Sequence, residues 1–213
     1  MLKFKSKKKT RFPFMSIAIW LLTLFSVVLS TYYSDVVALN KLFAINPSEL
    51  MSSINQSWVQ TFKLISALFL HGNWQHWAGN MILFIIIALP LERRIGSFWF
   101  VVIYFVSGFS ANLASIYQLE HSVRYLLGAS GALSGLLGAW LILYPKQNIS
   151  IIIPIGLYLQ KAKIPILLLG FIWLSLQIIL QLVSDNDYPV VWVSHIVGFI
   201  VGFFMAWLYR ITT

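Results

Sequence analysis

Gly128-Ala129-Ser130-Gly131 falls at the start of one hydrophobic segment, and His195 lies inside another, 65 residues later. A serine and a histidine kept inside two membrane-length apolar segments are costly unless something uses them. Together they are the minimum apparatus for nucleophilic attack on an amide, with the hydroxyl as nucleophile and the imidazole as its base. A second polar pair, His76 and Asn80, is four residues apart. On a helix these two share one face, a turn from each other. Both side chains donate hydrogen bonds, and both are unsatisfied in an apolar surround. They suit an oxyanion hole completed by the backbone N–H of Ser130. An inter-helix polar clamp is the alternative reading of the same pair.

The elements that must position these groups are membrane helices. Of 213 residues, 59% are hydrophobic and 10% charged, against about 25% charged in a soluble domain. The apolar runs predict an all-α membrane protein with six spans, roughly 13–33, 74–92, 97–117, 128–144, 164–183 and 190–209. Residues 13–210 form one membrane domain, and 1–12 a basic cytoplasmic tail. The long connection 34–73 is too polar to span. It holds Asn46-Pro47-Ser48-Glu49, a helix-start signal, and reads as a structured outer loop lying partly in the interface.

Charge placement orients the bundle. Six of the fifteen basic residues crowd the first eleven positions. With both termini cytoplasmic, twelve of the fifteen basic residues fall inside and five of the six acids outside, as the positive-inside rule requires. The basic tail is thereby assigned to a membrane flank or anionic headgroups rather than to nucleic acid. The stretch 12–33 is too long for a signal-peptide core and lacks a small-x-small cleavage site, so no cleaved leader is expected. In this orientation His76, Ser130 and His195 all lie near the outer ends of their spans, at similar depth.

The fourth span is short. From Ser130 to Tyr144 a helix covers ~23 Å, less than the ~30 Å hydrocarbon core. Its amino terminus is expected below the outer surface, reached by water through a cavity. The preceding 118–127 is then non-helical backbone at membrane depth, tolerable only inside protein or beside a wet cavity. The unpaired N–H groups of a helix start can donate to a developing oxyanion. Gly128 and Gly131 permit a sharp turn into the helix and close approach of a substrate backbone. Gly131, Gly135 and Gly138 also read as a small-residue packing face, and both readings can hold. In the sixth span His195, Gly198, Gly202 and Ala206 share one face. If that face packs on the glycines of span four, His195 reaches Ser130. Ser134, one turn deeper, is the alternative nucleophile.

Other chemistries find little support. Cysteine is absent, which excludes disulfides and thiolates. His71 and His76 have no carboxylate nearby, so neither a metal site nor a cofactor is expected. No acid lies in a span near His195, which disfavours a Ser-His-Asp triad and leaves a two-residue unit. His71 reads as a brace within its loop, and His121 as a solvated loop histidine.

Taken together, His71-x4-His76-x3-Asn80-Met81, Gly128-x-Ser130-Gly131 and His195-x2-Gly198-x3-Gly202 resemble the signature of rhomboid intramembrane serine proteases. Leu91-Glu92-x3-Gly96 and Tyr104-x3-Gly108 also match that family's second-to-third span pattern. The resemblance covers about 60 to 210. It implies Ser130 as nucleophile, His195 as general base, and His76, Asn80 and the Ser130 N–H as oxyanion donors. It implies single-pass membrane proteins as substrates, cut in or near the outer half of their span in the lipid bilayer, here the bacterial inner membrane. It also implies substrate access past a mobile fifth span and the 184–189 loop. One departure is Phe62-Lys63, where the family often has Trp-Arg. Lysine cannot reproduce the planar arginine fork, which bears on loop bracing rather than on catalysis. A non-proteolytic rhomboid-like protein that binds membrane clients is the alternative function. A transporter or proton relay lacks span carboxylates.

Overall fold

A computed structural model describes residues 11–33, 35–53, 58–155, 158–183 and 190–212. Most of the basic tail and the whole 184–189 loop therefore lie outside the described residues. The chain is built on helices. In order they are α1 (Phe14–Tyr32), α2 (Val36–Phe43), α3 (Pro47–Ser53), α4 (Trp58–Ser66), α5 (Trp74–Ile95), α6 (Ser97–Gln118), α7 (Ser130–Leu143), α8 (Ile166–Val183) and α9 (Trp192–Thr212). Four of these, α1, α6, α8 and α9, are long and apolar enough to cross a membrane. α7 is a shorter apolar helix of 14 residues. α5 is 22 residues long and carries polar groups at both ends.

The helix ends follow local chemistry. The Asn73 side chain accepts from the His76 N–H at 2.8 Å, capping α5, as a polar residue at that position does for orphan N–H groups. Gly96, at φ +84°, ends α5 and starts α6. No L side chain adopts that conformation readily, so glycine is required for so tight a reversal. Asn46 starts α3 as its sequence suggests, accepting from the Ser48 hydroxyl at 2.9 Å. At the carboxyl-terminal end of α5 the buried Glu92 carboxylate accepts from Met15 N (3.0 Å), Ser16 N (2.7 Å) and Ser16 Oγ (2.6 Å), and also from Ser97 Oγ. One carboxylate thus ties the starts of α1 and α6 to α5. A charge so deep is tolerable because it is saturated with donors.

α7 is the axis of the bundle. Residues 131–140 are all buried, enclosed mainly by α9, α6 and α5. A Cβ on Gly198 would overlap the Gly131 carbonyl, and one on Gly202 the Gly135 carbonyl. The two backbones are in direct contact, so dispersion between main chains replaces side-chain packing there.

One element departs from the expected purely helical chain. Residues 145–163 read as a plain inner connection, yet β1 (Asn148–Ile155) and β2 (Tyr158–Pro165) pair antiparallel from Asn148↔Pro165 to Ile155↔Tyr158. The β-branched run 151–153 followed by Gly156 was a legible hairpin signal. The membrane-length pattern on either side masked it.

Candidate active site

Ser130 is the first residue of α7. The chain reaches it through Gly128, whose φ is +132°, and the first intrahelical bond runs from Leu133 N to Ala129 O at 2.9 Å. The N–H groups of Ser130, Gly131 and Ala132 precede that bond and have no intrahelical acceptor. The segment 119–129 before α7 is not helical. Its backbone is satisfied by the 34–73 connection, the outer loop of the expected topology, instead. Ile45 and Leu126 exchange hydrogen bonds at 3.1 and 2.7 Å, and Gly128 N donates to Ala67 O at 2.9 Å. Outer-loop backbone supplies partners that lipid could not.

His195 lies one turn into α9 and is 6% exposed. Its Nε2 is 2.7 Å from Ser130 Oγ. Its Nδ1 is 2.7 Å from Oε1 of Gln177, a buried residue of α8. The rings of Trp173 and Trp192 flank the imidazole at 6.0 and 5.9 Å. Which ring nitrogen carries the proton decides which of these two contacts donates and which accepts.

His76 and Asn80 come to the same place from α5. A Cβ on Gly128 would stand 3.0 Å from His76 Nε2 and 3.8 Å from Asn80 Nδ2, so the absent side chain leaves room for both beside Ser130. Asn80 Nδ2 donates to His71 Nε2 at 2.9 Å. Burial, aided by the neighbouring His76, pushes the His71 imidazole down to about 3, so it stays neutral and its Nε2 can accept. His71 was expected only to brace its loop. Its contacts run to α5 instead, to the Asn80 amide and to the His76 ring at 5.2 Å.

Two cavities meet at these residues. One, of about 330 Å³, is lined by Asn73, Asn112, Ser115, Tyr125 and Ser194 among others. The second, of about 350 Å³, opens along Gly79, Ile82, Leu83 and Ile86 of α5 and Trp173 of α8. His76, Ser130 and His195 line both. A polar chamber and an apolar groove therefore share one serine, one imidazole and one potential oxyanion donor. Among the described residues no group of three metal-ligating side chains occurs.

The Rhomboid domain family model matches residues 58–212. The chain belongs to the rhomboid family. Among curated rhomboids, RHOMBOID-like protein 5 of Arabidopsis thaliana is 32% identical over 70% of this chain and 44% of its own length. RHOMBOID-like protein 6, mitochondrial, of the same plant is 37% identical over 48% of this chain and 31% of its own. Rhomboid protease AarA of Providencia stuartii is 28% identical over 93% of this chain and 75% of its own. The chain thus spans less than half the length of the plant rhomboids it matches. A rhomboid with four span-length helices is a multi-pass membrane protein.

The alternative serine is committed elsewhere in this rhomboid. Ser134 is fully buried and its Oγ accepts from Trp173 Nε1 at 3.2 Å. Phe62 and Lys63, the departure from the rhomboid pattern, lie on α4, with Phe62 half-exposed against the Phe43 ring and Lys63 buried. Bracing of the outer loop comes from main-chain acceptors. Ser66 Oγ donates to Phe43 O and Asn112 Nδ2 to Leu64 O, both at 2.7 Å. Gln177 is neutral, so the lack of a span carboxylate near His195 gives no hint of it as the histidine's partner. A glutamine mid-span, four residues from a tryptophan, is itself the signal.

Proposed function

We propose that this rhomboid is an intramembrane serine endopeptidase that cuts transmembrane segments of single-pass membrane proteins. The observation that carries the reading is the 2.7 Å contact between Ser130 Oγ and His195 Nε2 at the meeting of the two cavities. In this reading α5 and α7 join the four span-length helices to make six spans. α7 starts below the outer surface, both termini are cytoplasmic, and the membrane is a bacterial inner membrane. Charge placement supports that orientation.

An unwound substrate segment enters along the apolar groove between α5 and α8. Ser130 Oγ attacks the carbonyl carbon while His195 Nε2 takes the hydroxyl proton. The tetrahedral oxyanion accepts from the Ser130 N–H, His76 and Asn80. His195 then gives its proton to the leaving nitrogen, the peptide bond breaks, and an ester on Ser130 remains. Water from the polar chamber, activated by His195, hydrolyses that ester. The fall of α7 short of a full span lets water and substrate reach one atom from different sides.

The test is reconstitution in liposomes with a fluorescent single-pass reporter, together with fluorophosphonate labelling. Ser130→Ala and His195→Ala should each abolish cleavage, and Ser130→Ala should abolish the label. Cleavage that survives Ser130→Ala but not Ser134→Ala moves the nucleophile. A wild-type protein that binds the reporter and never cuts it makes the chain a client-binding rhomboid instead.

A further inference from the structure

The site as read from sequence has two members, yet His195 has a polar partner on each nitrogen. Gln177 is 2% exposed and places Oε1 2.7 Å from Nδ1. We propose that Gln177 is the third member of the site, a positioning residue that accepts the Nδ1 proton of His195 and so holds the ring in the tautomer whose Nε2 faces Ser130. This rests on the proteolytic reading of the site but can be tested apart from it.

The imidazole of His195 must match one donor and one acceptor to two fixed partners. Neutral imidazole has one N–H and one lone pair. If the proton lay on Nε2, the ring would donate to Ser130 Oγ and could not act as its base. A carbonyl oxygen on Nδ1 removes that option, because the proton is held where it has an acceptor. During attack the serine proton passes to Nε2 and the Nδ1 proton stays shared with Gln177. A neutral amide takes no proton, so charge builds on the imidazolium alone. An amide also suits its surroundings. A carboxylate at this depth would have to be desolvated even when the histidine is neutral.

The position of the acceptor adds a consequence. α8 buries only Ile166, Gly170 and Gln177, fewer residues than any other span-length helix. Beyond the apolar packing of Leu169, Trp173 and Leu174, its side-chain hydrogen bonds to the bundle are Trp173 to Ser134 and Gln177 to His195. Moving α8 outward therefore withdraws the acceptor from His195 and releases its tautomer. The base is set only when α8 is docked.

Titratable groups lining the two cavities beside His195 are His76 of α5 and Tyr125 of the 119–129 segment. The described lining residues of α6, α7 and α8 add none. The test uses protein with 15N-labelled histidine in detergent micelles. The chain has four histidines, and His195→Asn assigns the resonance. The wild type should show Nδ1 protonated. Gln177→Leu, which fits a lipid-facing helix, should give a tautomer mixture and a roughly ten-fold lower kcat with KM nearly unchanged. Gln177→Glu should restore the Nδ1–H form and kcat, and shift the acid limb of kcat/KM to higher pH by favouring the imidazolium. An unchanged tautomer in Gln177→Leu overturns the proposal, whatever happens to rate. Equal loss of kcat in both variants with the tautomer unmoved identifies a merely structural residue. If the tautomer follows Gln177 while the wild type cuts nothing, the positioning role stands and the proteolytic reading falls.

Discussion

Ser130, His195 and Asn80 each have a specific side-chain partner, and these pairs set what single substitutions should do. Asn80 donates one amide proton to His71, which leaves a second for the proposed oxyanion. Asn80→Ala should lower kcat by about 10²-fold, the typical loss for one oxyanion donor. His71→Ala should lower it in the same direction by letting the amide rotate. In a double-mutant cycle scored by reporter cleavage, the pair should be no worse than Asn80→Ala alone. At this scale much was legible beforehand. Ser130, His76, Asn80 and His195 stood out because polar groups in apolar segments are expensive. Two roles were not legible. The contact from His71 to Asn80 joins a loop to a helix, and that from Gln177 to His195 joins α8 to α9. Neither follows from spacing along one element.

Among the elements, the contact of α7 with α9 decides the geometry of the proposed dyad. Gly198 has the Gly131 carbonyl where a Cβ would go, and Gly131 follows Ser130 directly. Gly198→Ala should therefore force the helices apart near the site. An overpacking cost of about 1–3 kcal/mol is expected, read as a lower midpoint of thermal unfolding in detergent. Fluorophosphonate labelling of Ser130 should fall as well, even well below that midpoint. The glycine periodicity announced this face, since i, i+3 and i+7 positions must align on any helix. The β1–β2 hairpin had only a short local signal, the β-branched run 151–153 before Gly156, within a chain whose composition is dominated by spans. Its strands run for eight residues each, short beside the membrane-length runs next to them.

Considered whole, the molecule is a helical bundle whose charges fall unevenly along it. The absence of cysteine makes orientation directly measurable. Glu120→Cys should react with a membrane-impermeant maleimide added to intact spheroplasts. Lys161→Cys should react only after lysis. Reversal of that pattern would invert the proposed topology. The number of spans was harder to read than their positions. α5 is interrupted by Gln75, His76 and Asn80 at one end and Glu92, Arg93 and Arg94 at the other. α7 stops early because its outer continuation, 119–129, is hydrogen-bonded to the outer loop rather than coiled.

That zippering of 119–129 to the outer loop has a consequence for lipid dependence. In the proposed topology the height of Ser130 is fixed by protein backbone, not by where the acyl chains end. A substrate helix, by contrast, floats at a level set by its own hydrophobic match to the bilayer. Altering acyl-chain length should slide the substrate past a stationary blade. In liposomes of graded thickness, mass spectrometry of the products should find the scissile bond displaced by about one residue for every 1.5 Å of relative shift along a helical substrate.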